Sequence, residues 1–459
     1  MSCNGNNATA PSPAIAPGVE SIDPAAFAIE LAARTPAGNG VDPRVAAILP
    51  SFDAPFFQAG LAGYSDGAMR IIARRHGAPM CVTEALLDRM LLGGGRGFHK
   101  ADLGLQDEQL LHENLPTGNE DHPLVGQIIG GDPDEMAAAA LKMIEQGRRH
   151  NKAYRQMAYG DDRKPVYIDT RWTVCEEEVL LPDSADASSP IDKKSHSATA
   201  SSALCAEPNR GFAMIDVNLA CPVKKIDRKH RGGHWLTDPD GAKEILKAVR
   251  QAIPASTPVS VKLRRAYDDT PEMTANFEKI FEAAYELGYA WATVHARTVE
   301  QKYIGPSRWT FLKDLTSRHR DKPIFGSGDI WEAPDIFRMI AYTGVSGVSV
   351  ARGCIGNPWI FRQARDMLAG NSPRRPTLPE QREVLHQHFA LSVALNGEAP
   401  AGKMMRKFGI KFAQHHPQPE RVKSAMVNVN STADWLAALD ALYPLDALYP
   451  VGATSPGSD

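Results

Sequence analysis

The feature that most constrains the fold is a regular alternation of short apolar segments with segments of helical periodicity. Eight apolar segments occur, at 55–63, 80–84, 123–129, 213–219, 258–263, 290–295, 323–326 and 345–350. Strands that alternate with helices predict a parallel sheet, and eight such units favour a closed (β/α)8 barrel of the TIM type. A doubly wound open sheet is disfavoured because no G-x-G-x-x-G motif follows the first strand.

The remaining segments divide the chain around this barrel. Residues 1–45 are rich in Ala, Pro, Gly and Asn, which predicts a disordered N-terminal lead. The barrel is then expected over 46–370, with an insert at 151–210 before the fourth strand that predicts a hairpin and a loose loop. Helical periodicity without strands predicts a small C-terminal helical domain at 371–445, followed by a tail at 446–459.

Charge and cysteine content narrow the class of protein. The net charge is −3, so nucleic-acid binding would have to come from a local basic patch. The six cysteines show no C-x-x-C pair and no metal-ligand spacing, which is typical of free thiols in a reducing compartment. No apolar run approaches the roughly 20 residues of a membrane span. No Lys or Arg precedes Arg34, although a secretory signal would need one. We therefore expect a cytoplasmic protein without a membrane segment, a metal site or an obligate protein partner.

The end of the fourth strand carries the clearest chemical signal. The segment from Ile215 begins as an apolar, β-branched strand and stops at Pro222, and Cys221 stands just beyond the strand. A lone cysteine in such a place is more often a buried, unreactive side chain than a catalytic one. Here Lys224, Lys225 and Arg228 follow at once, which favours chemistry on an anionic ligand.

Polar residues and glycines also stand at the ends of the other strands, where a barrel holds its functional groups. The candidates are Gln127, Asn218, Lys262, His295, Ser327, Gly328, Asp329, Ala351 and Arg352. Each alone could be a satisfied structural group, but together they would surround one mouth. The ammonium of Lys262 follows an apolar run and needs an anionic or electron-rich partner. Gly328 lets backbone N–H groups approach a phosphate, so a phosphorylated ligand is predicted at the mouth.

A basic segment stands in the predicted helical domain, at 403–411. At helical spacing, Lys403, Arg406 and Lys407 put positive charge on adjoining faces. Basic clusters on helices are more often solvated surface than binding sites, so the spacing alone leaves both interpretations open.

Taken together, these residues resemble the tRNA-dihydrouridine synthases. The resemblance covers roughly residues 55–425 apart from the insert, and six motifs carry it in order along the chain. They are Ala62-Gly63-Tyr64-Ser65-Asp66, Asp216-Val217-Asn218-Leu219-Ala220-Cys221-Pro222-Val223-Lys224-Lys225, Val261-Lys262-Leu263-Arg264, Thr293-Val294-His295-Ala296-Arg297-Thr298, Gly328-Asp329-Ile330 and Ala351-Arg352-Gly353-Cys354-Ile355-Gly356-Asn357-Pro358-Trp359. Each motif alone is weak, whereas all six at barrel spacing are specific.

The resemblance implies an FMN-binding barrel and a small helical domain, with tRNA lying across both. It implies Cys221 as the proton donor and NADPH, or NADH, as the reductant. The implied FMN contacts are Gln127, Asn218, Lys262, His295, Ser327, Gly328, Asp329, Ala351 and Arg352. The implied RNA contacts are Lys224, Lys225, Arg228, Lys403, Arg406 and Lys407.

The implied reaction is reduction of the uracil C5=C6 bond. Hydride from the reduced flavin adds at C6, negative charge develops at C5 and O4, and an acid has to protonate C5. A cysteine with a pKa near 8.5 is largely protonated at neutral pH and suits this role. The target uridine has to leave the base stack to reach the flavin.

The chain departs from the family pattern at three places. Ala59-Gly60-Leu61 replaces the usual Ala-Pro-Met, and Ser327 replaces the usual Asn. Gly232-Gly233-His234-Trp235-Leu236 replaces a pattern of smaller residues. We expect Trp235 to pack on the helix that follows it.

Two other functions stay open. An FMN-dependent barrel dehydrogenase acting on a small pyrimidine-like substrate could use the same cysteine, but it would not need the basic helical segment. An RNA-binding protein that keeps the barrel as a scaffold would bind no flavin, so it would be colourless when purified.

Overall fold

A computed structural model of the protein describes residues 16–92, 122–147, 156–159, 165–168 and 211–444. The strands are β1 (Phe56–Gln58), β2 (Cys81–Val82), β3 (Leu86–Leu87), β4 (Leu124–Ile129), β5 (Gln156–Tyr159), β6 (Pro165–Ile168), β7 (Met214–Leu219), β8 (Val259–Arg264), β9 (Trp291–His295), β10 (Ile324–Ser327) and β11 (Gly347–Val350). The α-helices are α1 (Pro24–Ala33), α2 (Pro43–Ile48), α3 (Gly67–Arg75), α4 (Asp88–Leu92), α5 (Pro133–Gly147), α6 (Lys224–Asp227), α7 (Pro239–Ala252), α8 (Pro271–Glu286), α9 (Trp309–Arg318), α10 (Ala333–Thr343), α11 (Trp359–Leu368), α12 (Leu378–Asn396), α13 (Glu398–Phe412), α14 (Pro419–Met426) and α15 (Thr432–Leu442). None of the helices in the described ranges is long and apolar enough to cross a membrane.

Eight of the strands form a closed parallel barrel, which confirms the predicted fold. Around the ring they follow the order β1, β2, β4, β7, β8, β9, β10 and β11, and β11 pairs with β1. The strand β3 pairs with the last residues of β4 and lies beside the ring. Both β4 and β7 are buried at every position, including the polar residues Gln127, Asp216 and Asn218.

An apolar cluster closes the N-terminal end of the barrel. The ring of Phe325 contacts Phe52 edge-on, with centroids 5.9 Å apart, and contacts Phe57 at 5.4 Å. Val45 of α2 and Trp291 at the start of β9 belong to the same cluster. Because this end is filled with side chains, a ligand has access only from the face where the strands end.

The chain is ordered from residue 16, which corrects the predicted disordered lead. Asp23 caps α1 by accepting hydrogen bonds from the backbone N–H groups of Ala25 and Ala26. Ala28 and Ala32 are buried where α1 packs against α10 and α11. Small side chains let helices approach closely, so an Ala-rich composition is a poor indicator of disorder here. The lead predicted over 1–45 is therefore wrong from residue 16 on, and residues 1–15 lie outside the described residues.

The insert contains the predicted hairpin. The strands β5 and β6 pair in antiparallel fashion, with Gln156 opposite Ile168. The other residues of 151–210, including the loose loop expected there, lie outside the described residues.

The C-terminal region is helical and packs on the barrel. Helices α12 to α15 cover most of 378–442, and α12 packs against both α3 and α13. In α13, the ammonium of Lys407 donates a hydrogen bond to the carbonyl of Gly63, in the loop after β1. The same ammonium lies 4.6 Å from the centre of the Tyr64 ring. The helical region therefore contacts the barrel on the face where the strands end.

Candidate active site

A chain of hydrogen bonds crosses the barrel just below its mouth. Ser260 donates to one carboxylate oxygen of Asp216 at 2.6 Å, and the Gln127 amide donates to the other at 2.8 Å. Asn218 then donates to Gln127 Oε1 at 2.8 Å and accepts from the backbone N–H of Ala220 at 3.0 Å. Burial raises the pKa of Asp216, and the two donors oppose that effect. These hydrogen bonds fix the orientation of the Gln127 and Asn218 side-chain amides.

Lys262 lies beside these hydrogen bonds but takes no part in them. It stands opposite Asn218 in the register of β7 and β8. Within the described residues its ammonium makes no hydrogen bond or ion pair. Burial lowers the pKa of Lys262, and the charge of Asp216 partly offsets this. An ammonium in such a place needs an electron-rich ligand.

The hydrogen bonds around Asp216 and the side chain of Lys262 line a first pocket. A second pocket lies across the mouth, at the ends of β9, β10 and β11. It is lined by His295, Ser327, Gly328, Asp329, Ile330, Trp331, Ser349, Ala351 and Arg352. The Nδ1 atom of His295 accepts the backbone N–H of Arg297 at 3.2 Å, so the ring proton is on Nε2. Burial and the surrounding cations hold the pKa of His295 well below its usual range. The imidazole is therefore a neutral hydrogen-bond donor.

Gly328 and Asp329 form a tight backbone turn at the end of β10. Gly328 has φ of +118°, and a Cβ there would lie 2.2 Å from Ser307 Oγ, so only glycine fits. The Asp329 carboxylate accepts two hydrogen bonds from Arg297, at 2.6 and 2.7 Å, and one from the Ser307 backbone N–H at 2.7 Å. With its carboxylate occupied in this way, Asp329 can reach a ligand only through its backbone.

Arg352 stands between two aromatic rings at the edge of the second pocket. Its guanidinium lies 4.9 Å from the centre of Tyr303 and 4.7 Å from that of Trp331. Its side chain keeps 34% of its surface exposed, and Asp329 is 3.7 Å away. Burial lowers the pKa of Arg352, and the charge of Arg297 adds to this. The two rings hold a cation in an open position, as a phosphate site requires.

Ser349 connects this pocket to the one around Asp216 and Lys262, because it lines both of them. Its hydroxyl is buried and has no hydrogen-bond partner among the described residues. Its place in both pockets would let it bond a ligand that spans the mouth.

Cys221 is partly exposed at the mouth, beyond the end of β7. Burial raises the pKa of its thiol above the usual range. A hydrogen bond from the backbone N–H of Val223, and the charges of Lys262 and Arg264, oppose this effect. Arg264 is itself held by donating to the carbonyl of Ala220 at 3.1 Å. At neutral pH the thiol therefore keeps its proton.

The predicted RNA-binding cations fall into two groups. Lys224, Arg228 and Lys403 are exposed to solvent, and the side chain of Lys225 lies outside the described residues. Arg406 instead donates to the carbonyl of Val427 at 3.2 Å. The partners of Lys407 are Gly63 and Tyr64, as described above. Arg406 and Lys407 thus have intramolecular roles that their spacing did not indicate.

Three residues at the mouth were missed from the sequence. Ser349 is polar within an apolar strand, which is a usable signal. Tyr303 and Trp331 lie in loops, where no periodicity points to the mouth. Trp235 packs on the following helix as expected, because a Cβ on Gly241 of α7 would lie 2.5 Å from its ring. It is 8% exposed, and its indole N–H donates to the carbonyl of Gly130 at 3.2 Å.

Another groove lies away from this mouth, between α3, α11, α12 and α15. Its charged groups are already paired, as in Arg362 with Glu380 at 2.9 Å and Arg382 with Asp440 at 2.6 Å. Lys262 and Ser349, which have no partner among the described residues, lie instead at the barrel mouth.

Fold and site together define a class of protein: a (β/α)8 barrel whose mouth carries cations and hydrogen-bond donors suited to an anionic, electron-rich ligand, beside a protonated thiol. A family model described as Dihydrouridine synthase (Dus) matches residues 191–445. The tRNA-dihydrouridine synthase B of Shewanella oneidensis is 33% identical over 360 residues, which is 78% of this chain and 83% of that protein. The chain therefore belongs to the dihydrouridine synthase family.

Other relatives match over a smaller share of their length. A probable tRNA-dihydrouridine synthase of Mycobacterium leprae is 33% identical over 219 residues, which is 47% of this chain and 56% of that protein. The corresponding Treponema pallidum protein is 31% identical over 231 residues, 49% of this chain and 67% of its own. Among solved structures, morphinone reductase in complex with tetrahydroNAD aligns with a TM-score of 0.35 and 11% identity, over 72% of this chain and 90% of that one. That score is too low to bear on fold or function.

Proposed function

We propose that this protein is an FMN-dependent tRNA-dihydrouridine synthase that reduces the C5=C6 bond of a uridine in tRNA with NADPH or NADH. Family membership supports the reaction class. The observation that carries the proposal is the Cys221 thiol, which is protonated and partly exposed at the barrel mouth. It stands at the same strand end as Asn218, next to the unpaired ammonium of Lys262.

The residues at the mouth fit FMN. The neutral Nε2–H of His295, the backbone at Gly328 and Ala351, and the guanidinium of Arg352 would hold its phosphate. At the other end of the mouth, Gln127, Asn218 and Lys262 would contact the polar edge of the ring. The unpaired hydroxyl of Ser349 lies between these two sets. When bound and reduced, FMN supplies hydride to C6 of the uracil.

The side chain of Cys221 provides the proton. Its Sγ–H bond breaks and a C–H bond forms at C5, which neutralises the charge that develops there. Burial keeps the proton on sulfur before the reaction. The Val223 N–H and the charges of Lys262 and Arg264 then stabilise the thiolate that is left. A proton from solvent restores the thiol.

Exposed cations support RNA as the substrate. Lys224 and Arg228 lie immediately beyond Cys221, and Lys403 lies on α13, which contacts the barrel on the same face. Each phosphate that a cation neutralises releases counterions, so binding should weaken as salt rises. A uridine flipped from its stack would reach the mouth between these cations.

The test is a Cys221→Ala variant compared with the wild-type protein. We expect both to purify yellow with FMN and to be reduced by NADPH at equal rates. Removal of the acid should slow reduction of tRNA about a hundredfold or more. The substrate is tRNA from a strain that lacks the gene. After incubation with the wild-type protein, mass spectrometry should show that one uridine has gained two hydrogen atoms.

Free uridine serves as the control substrate. The wild-type protein should reduce tRNA and leave free uridine unchanged. A colourless protein, full activity of Cys221→Ala, or equal reduction of free uridine would each contradict the proposal.

A further inference from the structure

The segment 221–237, here called the cysteine loop, folds back on the residue that it begins with. After Cys221 it forms α6 and then a 3-10 helix, Gly232–Thr237. The backbone N–H of Gly233 donates to the Cys221 carbonyl at 3.1 Å. A Cβ on Gly232 would lie 2.9 Å from the Cβ of Cys221. The 3-10 helix therefore packs directly on the cysteine.

Several contacts tie the cysteine loop to the rest of the barrel mouth. On one side, Arg231 pairs with buried Asp88 at 3.2 Å. Trp235 is also bound on that side, through its hydrogen bond to the carbonyl of Gly130. On the opposite side, the hydroxyl of Tyr267, beyond the end of β8, donates to the Asp227 carboxylate at 3.2 Å. Beyond β8, the buried amide of Asn276 in α8 also donates to the carbonyl of Leu236 at 3.3 Å, which fixes the far end of the loop.

The Asp227 carboxylate, which Tyr267 binds, also joins α6 to the 3-10 helix. His234 Nδ1 lies 3.5 Å from Asp227 Oδ1, and both side chains are about three-quarters buried, at 26% and 24% exposed. The His234 ring stacks on that of His230, with centroids 4.3 Å apart. Asp227 belongs to α6 and His234 to the 3-10 helix, so this contact closes the loop around Cys221.

We propose that Asp227, His234 and Tyr267 form a clasp that holds the cysteine loop closed and so positions the Cys221 thiol. They are positioning residues, because they act through the loop and not on the substrate. The inference rests on the proposed function only in taking Cys221 as the proton donor. His234 is also one of the residues at which this chain departs from the family pattern.

Proton transfer to carbon needs the donor within hydrogen-bond reach of C5. A displacement of about 1 Å can slow such a step by up to a hundredfold. Opening the clasp should therefore slow the step that uses Cys221 and expose the sulfur to solvent reagents. Reduction of the flavin by NADPH does not use the thiol and should be unaffected.

The experiment uses the full-length flavin-loaded protein and four variants. Tyr267→Phe removes one hydroxyl, and His234→Ala removes the imidazole. His234→Asn keeps a donor where Nδ1 lies and is the conservative rescue. The control is His319→Ala, because His319 Nε2 makes a contact of the same length, 3.5 Å to Glu278, on the outside of the barrel.

Two rates are measured for each variant. One is alkylation of Cys221 by iodoacetamide, followed by mass spectrometry of its own peptide so that the other cysteines do not interfere. The other is single-turnover oxidation of the reduced flavin by tRNA. We expect Tyr267→Phe and His234→Ala to raise the alkylation rate about threefold to tenfold and to slow flavin oxidation about tenfold. His234→Asn and His319→Ala should match the wild type.

Unchanged rates in both Tyr267→Phe and His234→Ala would overturn the clasp, as would equal changes in His319→Ala. The alkylation rate needs no RNA, so it separates the two proposals. If no tRNA is reduced by the wild type but alkylation changes as expected, the proposed function fails and the clasp stands.

Discussion

At the scale of single residues, buried polar groups in this protein differ in how well they are satisfied. The Asp216 carboxylate receives hydrogen bonds from Ser260 and Gln127. His388 of α12 is 2% exposed, and neither ring nitrogen has a hydrogen-bond partner among the described residues. Its ring instead packs on Phe408, with centroids 4.4 Å apart. Burial lowers the pKa of His388 to about 3.

This histidine should make the protein sensitive to acid. An unfolded chain binds a proton at His388 near pH 6.5, whereas the folded protein does not until about pH 3. The depressed pKa means that stability is full above pH 6.5 and falls as the pH drops from there toward 3. At pH 5 the loss amounts to about 2 kcal/mol.

The prediction is that His388→Leu removes this loss. Urea unfolding followed by tryptophan fluorescence at pH 8 and pH 5 should show a smaller decrease for the variant, by about 2 kcal/mol. An equal decrease in the variant and the wild type would mean that the imidazole gains a proton without opposing folding.

At the scale of secondary-structure elements, the start of α12 joins the helical region to the barrel. Thr377 and Glu380 form a capping box, each bonding the backbone N–H of the other. The Glu380 carboxylate also accepts from Arg362 of α11 at 2.9 Å and from Arg374 at 2.6 Å. These donors hold the pKa of Glu380 at about 2 despite its partial burial.

We expect Glu380→Gln to lower the free energy of unfolding by about 1 kcal/mol at pH 7, since solvent screens much of the pair. For a carboxyl with a depressed pKa, the stabilisation is present above about pH 4.5 and is lost as the pH falls toward 2. The difference between variant and wild type should therefore shrink over that range in urea titrations. Glu383→Gln, on the same helix, is the matched control, and an equal effect there would refute a specific role for the cap.

At the scale of the whole molecule, two lysines of α13 that are proposed to contact RNA have different surroundings. Lys403 is exposed, whereas Lys407 holds the loop after β1 through Gly63. The sequence alone cannot distinguish the two lysines, because both are cations of the same basic segment of one helix. The contact with the barrel separates them.

The prediction for the whole molecule compares these two residues. Lys403→Glu should weaken tRNA binding and reduce the slope of log Kd against log salt by about 1, with an unchanged melting temperature. Lys407→Met should lower the melting temperature, because it removes a contact between the helical region and the barrel. Filter binding at several salt concentrations and thermal unfolding provide the measurements. A melting temperature lowered by Lys403→Glu alone would contradict the assignment.

The sequence by itself determined the barrel and most of its mouth. Strands such as β4 and β7 are buried and mostly apolar, so they are visible in the local sequence, and the polar residues within and just beyond them are visible there too. This is why the sequence alone identifies Gln127, Asn218 and Cys221 as candidates. The same reasoning failed for α1, since its alanines are buried only because α10 and α11 are present.

Only the tertiary structure decided which polar groups are free to bind a ligand. Arg297 takes the carboxylate of Asp329, 32 residues away in sequence, while Lys262 is left without a partner among the described residues. Lys407 is likewise turned from a surface cation into a contact by Gly63, 344 residues away. Pairing of this kind depends on distances between segments remote in sequence, and no periodicity or motif carries that information.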